Sequence, residues 1–154
     1  MIDYREELDF RMALVIFLVR NFATNKNDKK ILTIDKLRLL ILICLTPKKL
    51  NNVSKKLNNK EISYLQNVFY DDSSSRLDVE DLKEISILMA YMCKLNYLQI
   101  EQEDSKYIVA GSSLNDFSDE VSQSAPQYLS KNVRLIKLIS AKSEPLITKA
   151  LMEA

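Results

Sequence analysis

The side chains best suited to catalysis in this 154-residue chain are three pairs of adjacent carboxylates, Glu6/Glu7, Asp71/Asp72 and Glu80/Asp81. Paired carboxyl groups can divide the work of a general acid and a general base. Adjacent residues on a helix do not face each other, and none of these pairs stands with a candidate nucleophile or metal ligand. Helix capping and solubility explain the pairs, and the sequence predicts no catalytic residue.

The composition excludes several classes of enzyme. The chain has no His, so it cannot form a Ser-His-Asp triad, a Cys-His pair or a histidine zinc site. Gly111 is its single glycine, which excludes a Walker A loop and the GxGxxG dinucleotide motif. Cys44 and Cys93 lie inside the apolar runs LILICL and LMAYMC and are predicted to be buried, reduced thiols. We expect a protein that is not an enzyme, with no cofactor, metal site or small-molecule substrate.

The N-terminal residues are acidic, where a secretion signal would be basic. The longest uncharged apolar run extends from Met12 to Val19 and is bounded by Arg11 and Arg20. This run is far shorter than the roughly twenty residues that cross a bilayer. We expect a cytoplasmic protein without a membrane partner.

Opposite charges are concentrated in different segments, although the net charge is only +1. Residues 26–60 carry a net charge of +8, and residues 61–120 carry −9. A row of lysines at the end of the basic segment could follow the phosphate backbone of DNA. This row would not read the bases, because it contains no Arg, the side chain best suited to base contacts. An ordinary solvated lysine face is the alternative interpretation. The candidate phosphate contacts are Lys48, Lys49, Lys55, Lys56 and Lys60.

Apolar periodicity predicts a mainly α-helical fold with a small β-hairpin. Threonine N-caps and a first-turn proline mark the helices that begin after Thr33 and Thr46. The predicted helices cover about 4–23, 34–45, 47–57, 61–70, 79–94, 126–140 and 145 onwards, with an exposed loop at 71–76 and an N-cap at Asp78. The hairpin is predicted over 97–109 with its turn at 101–105.

The segment from Asp78 to Gly111 resembles the recognition helix and wing of the winged helix-turn-helix superfamily. The resemblance is strongest at the step between helix and hairpin, Leu95-Asn96-Tyr97-Leu98. It implies a winged-helix-like domain over 1–111, followed by a Ser-rich acidic linker over 112–124 and a C-terminal helical extension over 125–154.

Electrostatics oppose groove reading by this helix and hairpin. The hairpin turn carries Glu101, Glu103 and Asp104, which the phosphate backbone of DNA would repel. We therefore predict that the hairpin docks to protein. Three tyrosines are either interface anchors or side chains packed against the hairpin, namely Tyr91, Tyr97 and Tyr107.

The first two predicted helices are apolar on every side, which is more than a chain of this size is expected to enclose. The surplus predicts a helical surface that another chain covers. We predict docking residues at Leu14, Phe17 and Leu18 on the first helix, with further docking through the acidic hairpin and the terminal helix.

The layout of the whole chain resembles the small middle component of bacterial three-component ABC/SMC-type ATPase defence systems, the Lamassu-like group. The features that carry this resemblance are the chain length, the hydrophobic first helix DFRMALVIFLVRNF, the Leu-rich second helix LTIDKLRLLILIC and the helix–wing end. The resemblance implies a non-catalytic subunit that links a coiled-coil ATPase to an effector in antiviral or anti-plasmid defence. The alternative is a homodimeric winged-helix transcriptional regulator that binds DNA.

Overall fold

The computed structural model of the protein describes residues 8–62, 79–114 and 127–153. Within these ranges the chain is mainly α-helical with a two-stranded antiparallel hairpin, which confirms the predicted fold class. The loop at 71–76, the N-cap at Asp78 and most of the predicted 61–70 helix and 112–124 linker lie outside the described residues. The elements are α1 (Leu8–Phe22), α2 (Ile34–Cys44), α3 (Pro47–Asn58), α4 (Val79–Lys94), β1 (Leu98–Gln102), β2 (Lys106–Ala110), α5 (Gln127–Ser130), α6 (Val133–Ser140) and α7 (Glu144–Glu153).

Threonine caps begin α2 and α3, as the sequence predicts. The Thr33 hydroxyl accepts a hydrogen bond from the Lys36 N–H at 3.1 Å, and the Thr46 hydroxyl accepts one from the Lys49 N–H at 3.2 Å. Pro47 occupies the first turn of α3, where its missing N–H leaves no helical hydrogen bond unmade. The Thr46 cap and Pro47 mark the point at which the chain leaves α2 and begins α3.

α4 ends in a Schellman motif that turns the chain directly into the hairpin. Asn96 takes the left-handed conformation with a φ of 65°, and the Tyr97 N–H donates to the Met92 carbonyl at 3.0 Å. Gly111 follows β2 and returns beside this turn, with its N–H 2.9 Å from the Tyr97 carbonyl oxygen. A Cβ at position 111 would lie 2.1 Å from the Asn96 carbonyl oxygen, so this close approach requires glycine.

The hairpin pairs its strands in antiparallel register, with Ile100 opposite Ile108. β1 extends further than predicted, so the turn is confined to residues 103–105. The segment before α2 lies alongside β2, where the Leu32 carbonyl accepts a hydrogen bond from the Ile108 N–H at 2.9 Å. The hairpin is therefore held to the core both by α4 and by the residues that lead into α2.

The sequence predicts one helix from Pro126 to about residue 140, whereas the structure has the separate helices α5 and α6. The buried Asn132 lies at the break, and its side-chain amide donates to the Tyr128 carbonyl at 2.7 Å. This hydrogen bond competes with the regular helical pattern and explains the interruption. The Tyr128 hydroxyl donates to the Cys44 carbonyl at 2.6 Å, which attaches α5 to the end of α2.

α2 lies at the centre of the core and contacts α1, α3, α4, α7 and β2. Its residues from Leu40 to Cys44 have no exposed surface. α1 is covered by α2, α6 and β2. The prediction that another chain must cover these two helices is therefore wrong, because the C-terminal helices pack back and enclose them.

Candidate functional site

The carboxylates of the hairpin, Glu101, Glu103 and Asp104, have partners within the chain. The Lys30 ammonium lies 2.8 Å from the Glu103 carboxylate and also pairs with Glu101. Asp104 accepts a hydrogen bond from the Tyr107 hydroxyl at 3.0 Å. The carboxylates of the hairpin are therefore bound within the chain in a cluster with Lys30 and Tyr107, and the charge of two of them is partly neutralised by Lys30. The sequence predicts an acidic hairpin without these partners.

Lys30 reaches the hairpin because the loop between α1 and α2 is itself tightly folded. The Asn25 side chain accepts hydrogen bonds from the Asn27 N–H at 2.8 Å and the Lys29 N–H at 3.1 Å. The Asn25 N–H in turn donates to the Lys29 carbonyl at 2.9 Å. This ordered turn presents the next residue, Lys30, to the hairpin.

The Lys30 ammonium and the Tyr107 hydroxyl of this cluster hold their protons more strongly than usual. Hydrogen bonds to Glu101 and then to Glu103 raise the pKa of Lys30 above its ordinary value. The hydrogen bond to Asp104 likewise raises the pKa of Tyr107. At neutral pH the cluster therefore keeps a cation between two carboxylates and a neutral phenol beside the third.

The lysines of α3 are presented unequally to solvent. Lys49 is only 7% exposed, so the prediction that it contacts phosphate is wrong. Its position one turn after the Thr46 cap places it on the buried side of α3, together with Leu50 and Val53. Lys48 lies on the exposed side.

The remaining lysines of this row differ in their partners. The ammonium groups of Lys55 and Lys56 are exposed, and each lies 3.5 Å from a carboxylate, of Glu61 and Glu153 respectively. Lys60 is exposed beyond the end of α3, where its carbonyl accepts a hydrogen bond from Ser54. A backbone contact with nucleic acid at this row stays a prediction, centred on Lys48 and Lys60.

Leu14 and Leu18 have no exposed surface and belong to the core. They are therefore unavailable for docking, in contrast to the prediction. Phe17 is partly buried and packs edge-on against Phe22, with ring centroids 6.2 Å apart. Most of the apolar residues of the first helix are therefore part of the core.

An exposed apolar row runs along the outer side of α4. Ile87 is 61% exposed, Tyr91 is 46% exposed and Leu95, just beyond the helix, is 37% exposed. We call these three residues the α4 stripe. The opposite side of α4 is buried, so the helix is apolar on two sides and the second has no cover from the described residues.

A second exposed apolar surface lies on α7. Met152 is 65% exposed, and Pro145 is exposed two turns before it on the same side of the helix. Leu146 is 51% exposed but lies on a different side of α7. We call Pro145 and Met152 the α7 face. A shallow surface cleft runs along the same helix and is lined by Pro145, Thr148, Lys149 and Met152, with Glu144 and Glu153 at its ends. This face agrees in position with the docking role predicted for the terminal helix.

Only Tyr91 of the α4 stripe is predicted from the sequence, as an alternative interface anchor. The helical spacing instead predicts a single apolar line, formed by Leu82, Ile85, Met89, Met92 and Leu95. The overlooked signal is Ile87, an apolar residue that does not lie on the same side of the helix as Ile85 and Met89. Ile87, Tyr91 and Leu95 recur every four residues, a spacing that places them along one side of a helix.

The two thiols lie in different surroundings. Cys44 is buried, and burial raises the pKa of its thiol; Cys93 is half-buried, with its pKa raised for the same reason. Among the described residues, Cys, Asp and Glu side chains do not gather in any group of three or more that could hold a metal ion. Over the same residues, every helix is too short or too polar to cross a membrane.

Comparisons of the whole chain with protein-family models, with curated proteins and with solved structures find no match.

Proposed function

We propose that this protein is a non-catalytic bridging subunit of a cytoplasmic multiprotein complex. The observation that carries the proposal is the pair of exposed apolar surfaces, the α4 stripe and the α7 face, which share no residue and lie on different helices. Large exposed apolar side chains that cluster on a folded surface are typical of protein interfaces. Two such surfaces allow one small subunit to hold two chains at once.

The core supports a rigid connection between the two surfaces. α4 and α7 both contact the central helix α2. Because α2 is enclosed over most of its length, force applied at one surface passes to the other through packed side chains. We infer a subunit that fixes the separation of its partners.

The partners follow from the resemblance to the middle component of three-component ATPase systems. We propose a long coiled-coil ATPase and an effector as the larger subunits, acting in defence against phages or plasmids. Nucleotide and catalytic sites would then belong to those subunits, and this chain would supply only contacts.

The alternative function, a transcriptional regulator, is less well supported by the surface of α4. A helix that reads the major groove presents polar and basic side chains to base edges and phosphates. The outer side of α4 instead presents Ile87, Ala90 and Tyr91. The carboxylates of the hairpin add no attraction for DNA.

An affinity purification from the native host tests the bridging function. We expect the tagged protein to recover a long coiled-coil ATPase and an effector at near-stoichiometric amounts. Met152→Glu, which places a charge on the α7 face, should lose one of these larger subunits, because burying an unpaired carboxylate at an interface is costly. Recovery of this chain without any other protein would contradict the proposal.

The matched control is Lys131→Glu, a charge change at an exposed residue that belongs to neither apolar surface. This variant should recover the same proteins as the unmodified chain. Thermal unfolding of both variants must match the parent, so that a lost partner reports the interface and not the fold.

A further inference from the structure

We propose that the α4 stripe binds a second copy of this chain, with the two α4 helices antiparallel about a two-fold axis. The inference rests on the proposed function in treating the stripe as a docking surface. It goes further by naming a second copy as the chain that covers the α4 stripe. The dimer would then do the bridging, with one α7 face on each copy left to bind the larger subunits.

The outer side of α4 has the spacing of a coiled-coil seam. Glu84, Ile87, Tyr91 and Lys94 follow one another at intervals of three, four and three residues, and all four are exposed. This is the spacing of successive a and d positions in a heptad repeat. The seam has two apolar residues at its centre and one charge of opposite sign at each end. Ala90 lies beside the seam and is small enough to allow close approach of another helix.

The seam is complementary to itself in one antiparallel register. When Ile87 lies opposite Tyr91 of the second copy, the symmetry repeats this apolar contact on the other side of the axis. The same register places Glu84 opposite Lys94 of the second copy, again twice. Both kinds of pair are centred on the level of residue 89, so a single two-fold axis satisfies them all.

Other arrangements of two copies lack this match. A parallel pair would place Glu84 against Glu84 and Lys94 against Lys94, which puts like charges opposite each other. An antiparallel pair shifted by one residue would bring Lys94 against Lys83 of the second copy. The opposite orientation of the helix dipoles also favours the antiparallel pair.

The charge at each end of the seam is available for such a contact. The Glu84 side chain is 53% exposed, although one of its oxygens accepts a hydrogen bond from Arg11 at 2.9 Å. Its other lone pairs can still receive the Lys94 ammonium of a second copy. Lys94 is exposed in the last turn of α4.

The size of the contact predicts a reversible dimer. The seam spans eleven residues of helix, a length of about 15 Å. A contact of this length buries less area than a standard interface, which covers about 800 Å² on each partner. We therefore expect a dissociation constant on the order of micromolar, and pairing that depends on protein concentration.

Sedimentation of the full chain over a concentration series tests the dimer and its register. Glu84→Lys alone and Lys94→Glu alone should each raise the dissociation constant at least about tenfold, because each creates two like-charge contacts. The double variant Glu84→Lys/Lys94→Glu should return to within about threefold of the parent, because it restores opposite charges across the axis. A monomer at every concentration, or a double variant as weak as the single ones, would overturn the proposal.

The charge exchange separates pairing from folding. Glu84→Lys places a cation beside Arg11 in both the single and the double variant. Recovery of the dimer in the double variant therefore cannot come from repair of the Arg11 contact within one chain.

Cross-linking gives an independent reading of the register. In a Cys93→Ser background, a mixture of chains carrying Ile87→Cys and chains carrying Tyr91→Cys should react with a short bismaleimide to give covalent dimers. Cys44 is fully buried and does not compete for the reagent. A mixture of Lys83→Cys with Tyr91→Cys chains is the control and should react much less, and equal yields from both mixtures would contradict the register.

These results are distinguishable from failure of the bridging function. If the chain stays monomeric while Ile87→Glu loses a larger subunit in the affinity purification, the second copy is excluded and the docking surface stands. If the chain pairs as expected but recovers no other protein, the pairing stands and the bridging function fails.

Discussion

Gly111 has no space for a side chain. It packs against the backbone of the turn that ends α4, and any Cβ would meet the Asn96 carbonyl oxygen at 2.1 Å and the Asn96 carbonyl carbon at 2.6 Å. These atoms belong to a hydrogen-bonded backbone and cannot swing aside as a flexible side chain could. The sequence shows that glycine is rare in this chain, but the reason for this glycine is visible only in the fold.

We expect Gly111→Ala to destabilise the protein by about 2 kcal/mol, since overpacking of a tight site typically costs 1–3 kcal/mol. Urea unfolding followed by circular dichroism measures the change. Ser112→Ala, at the exposed next residue, is the control and should leave the midpoint almost unchanged. An alanine variant as stable as the parent would show that the turn can move away from residue 111.

Lys49 illustrates why a residue type alone misleads. The row of lysines around α3 predicts a common basic face, but Lys49 lies on the side of the helix that is buried. Lysine can bury its long aliphatic stem while it satisfies its charge locally, so its position in the sequence does not fix its exposure. Counting helical positions from the Thr46 cap would have placed Lys48 and Lys49 on different sides of α3.

Among the elements, the loop between α1 and α2 supports the hairpin, a role that its polar sequence does not predict. It delivers Lys30 to Glu101 and Glu103 on the hairpin, 71 and 73 residues later in the chain. These carboxylates raise the pKa of Lys30, so below the ordinary lysine pKa its ammonium stays charged and its ion pairs stabilise the hairpin. This stabilisation is lost as the pH rises from the ordinary pKa through the raised one. The hairpin should therefore keep this support throughout the neutral range.

We expect Lys30→Met to loosen the hairpin without unfolding the chain. Backbone amides of residues 101–107 should exchange with deuterium faster than in the parent at pH 7, as mass spectrometry of peptides from this region would measure. Lys29→Met removes a neighbouring exposed lysine and is the control. Unchanged exchange in the Lys30 variant would mean that the other contacts of the hairpin hold it without the ion pairs of Lys30.

Helix starts were predictable where a cap is local, as at Thr33 and Thr46, because the capping side chain and its N–H partner are three residues apart. The interruption between α5 and α6 was not, since Asn132 fits a helical pattern until its amide bonds to the Tyr128 carbonyl. The hairpin was predictable from its two-residue period, but its tie to Lys30 was not. Contacts between distant parts of the chain leave little trace in local spacing.

In the whole molecule, the core is built from both ends of the chain. Ile136, Ile139, Ile147 and Leu151 from the C-terminal helices are buried in the same core cluster as α1 and α2. The sequence predicts these helices as an extension after a linker, and their apolar stripes do predict burial. What periodicity cannot reveal is the surface against which each stripe packs, and this is why Leu14 and Leu18 were predicted to dock to another chain.

We expect Tyr128→Phe to lower the free energy of unfolding by about 1 kcal/mol, because the Cys44 carbonyl at the end of α2 loses its hydroxyl donor. Unfolding should remain a single transition when it is followed by both circular dichroism and tyrosine fluorescence, since α5 to α7 share the core of α2. Tyr107→Phe removes an exposed hydroxyl and serves as control, with little change expected. Two separate transitions would indicate that the C-terminal helices unfold on their own.

The enclosure of α2 by elements from both ends has a consequence for biosynthesis. The 88 residues between Cys44 and Val133 take about 4–18 s to synthesise at usual ribosome speeds, and only then can α6 and α7 cover the helices made first. During that interval the parts of α1 and α2 that α6 and α7 later cover are exposed beside the ribosome. Newborn chains should therefore be clients of chaperones that bind exposed leucine-rich segments, and the yield of folded protein should depend on their supply.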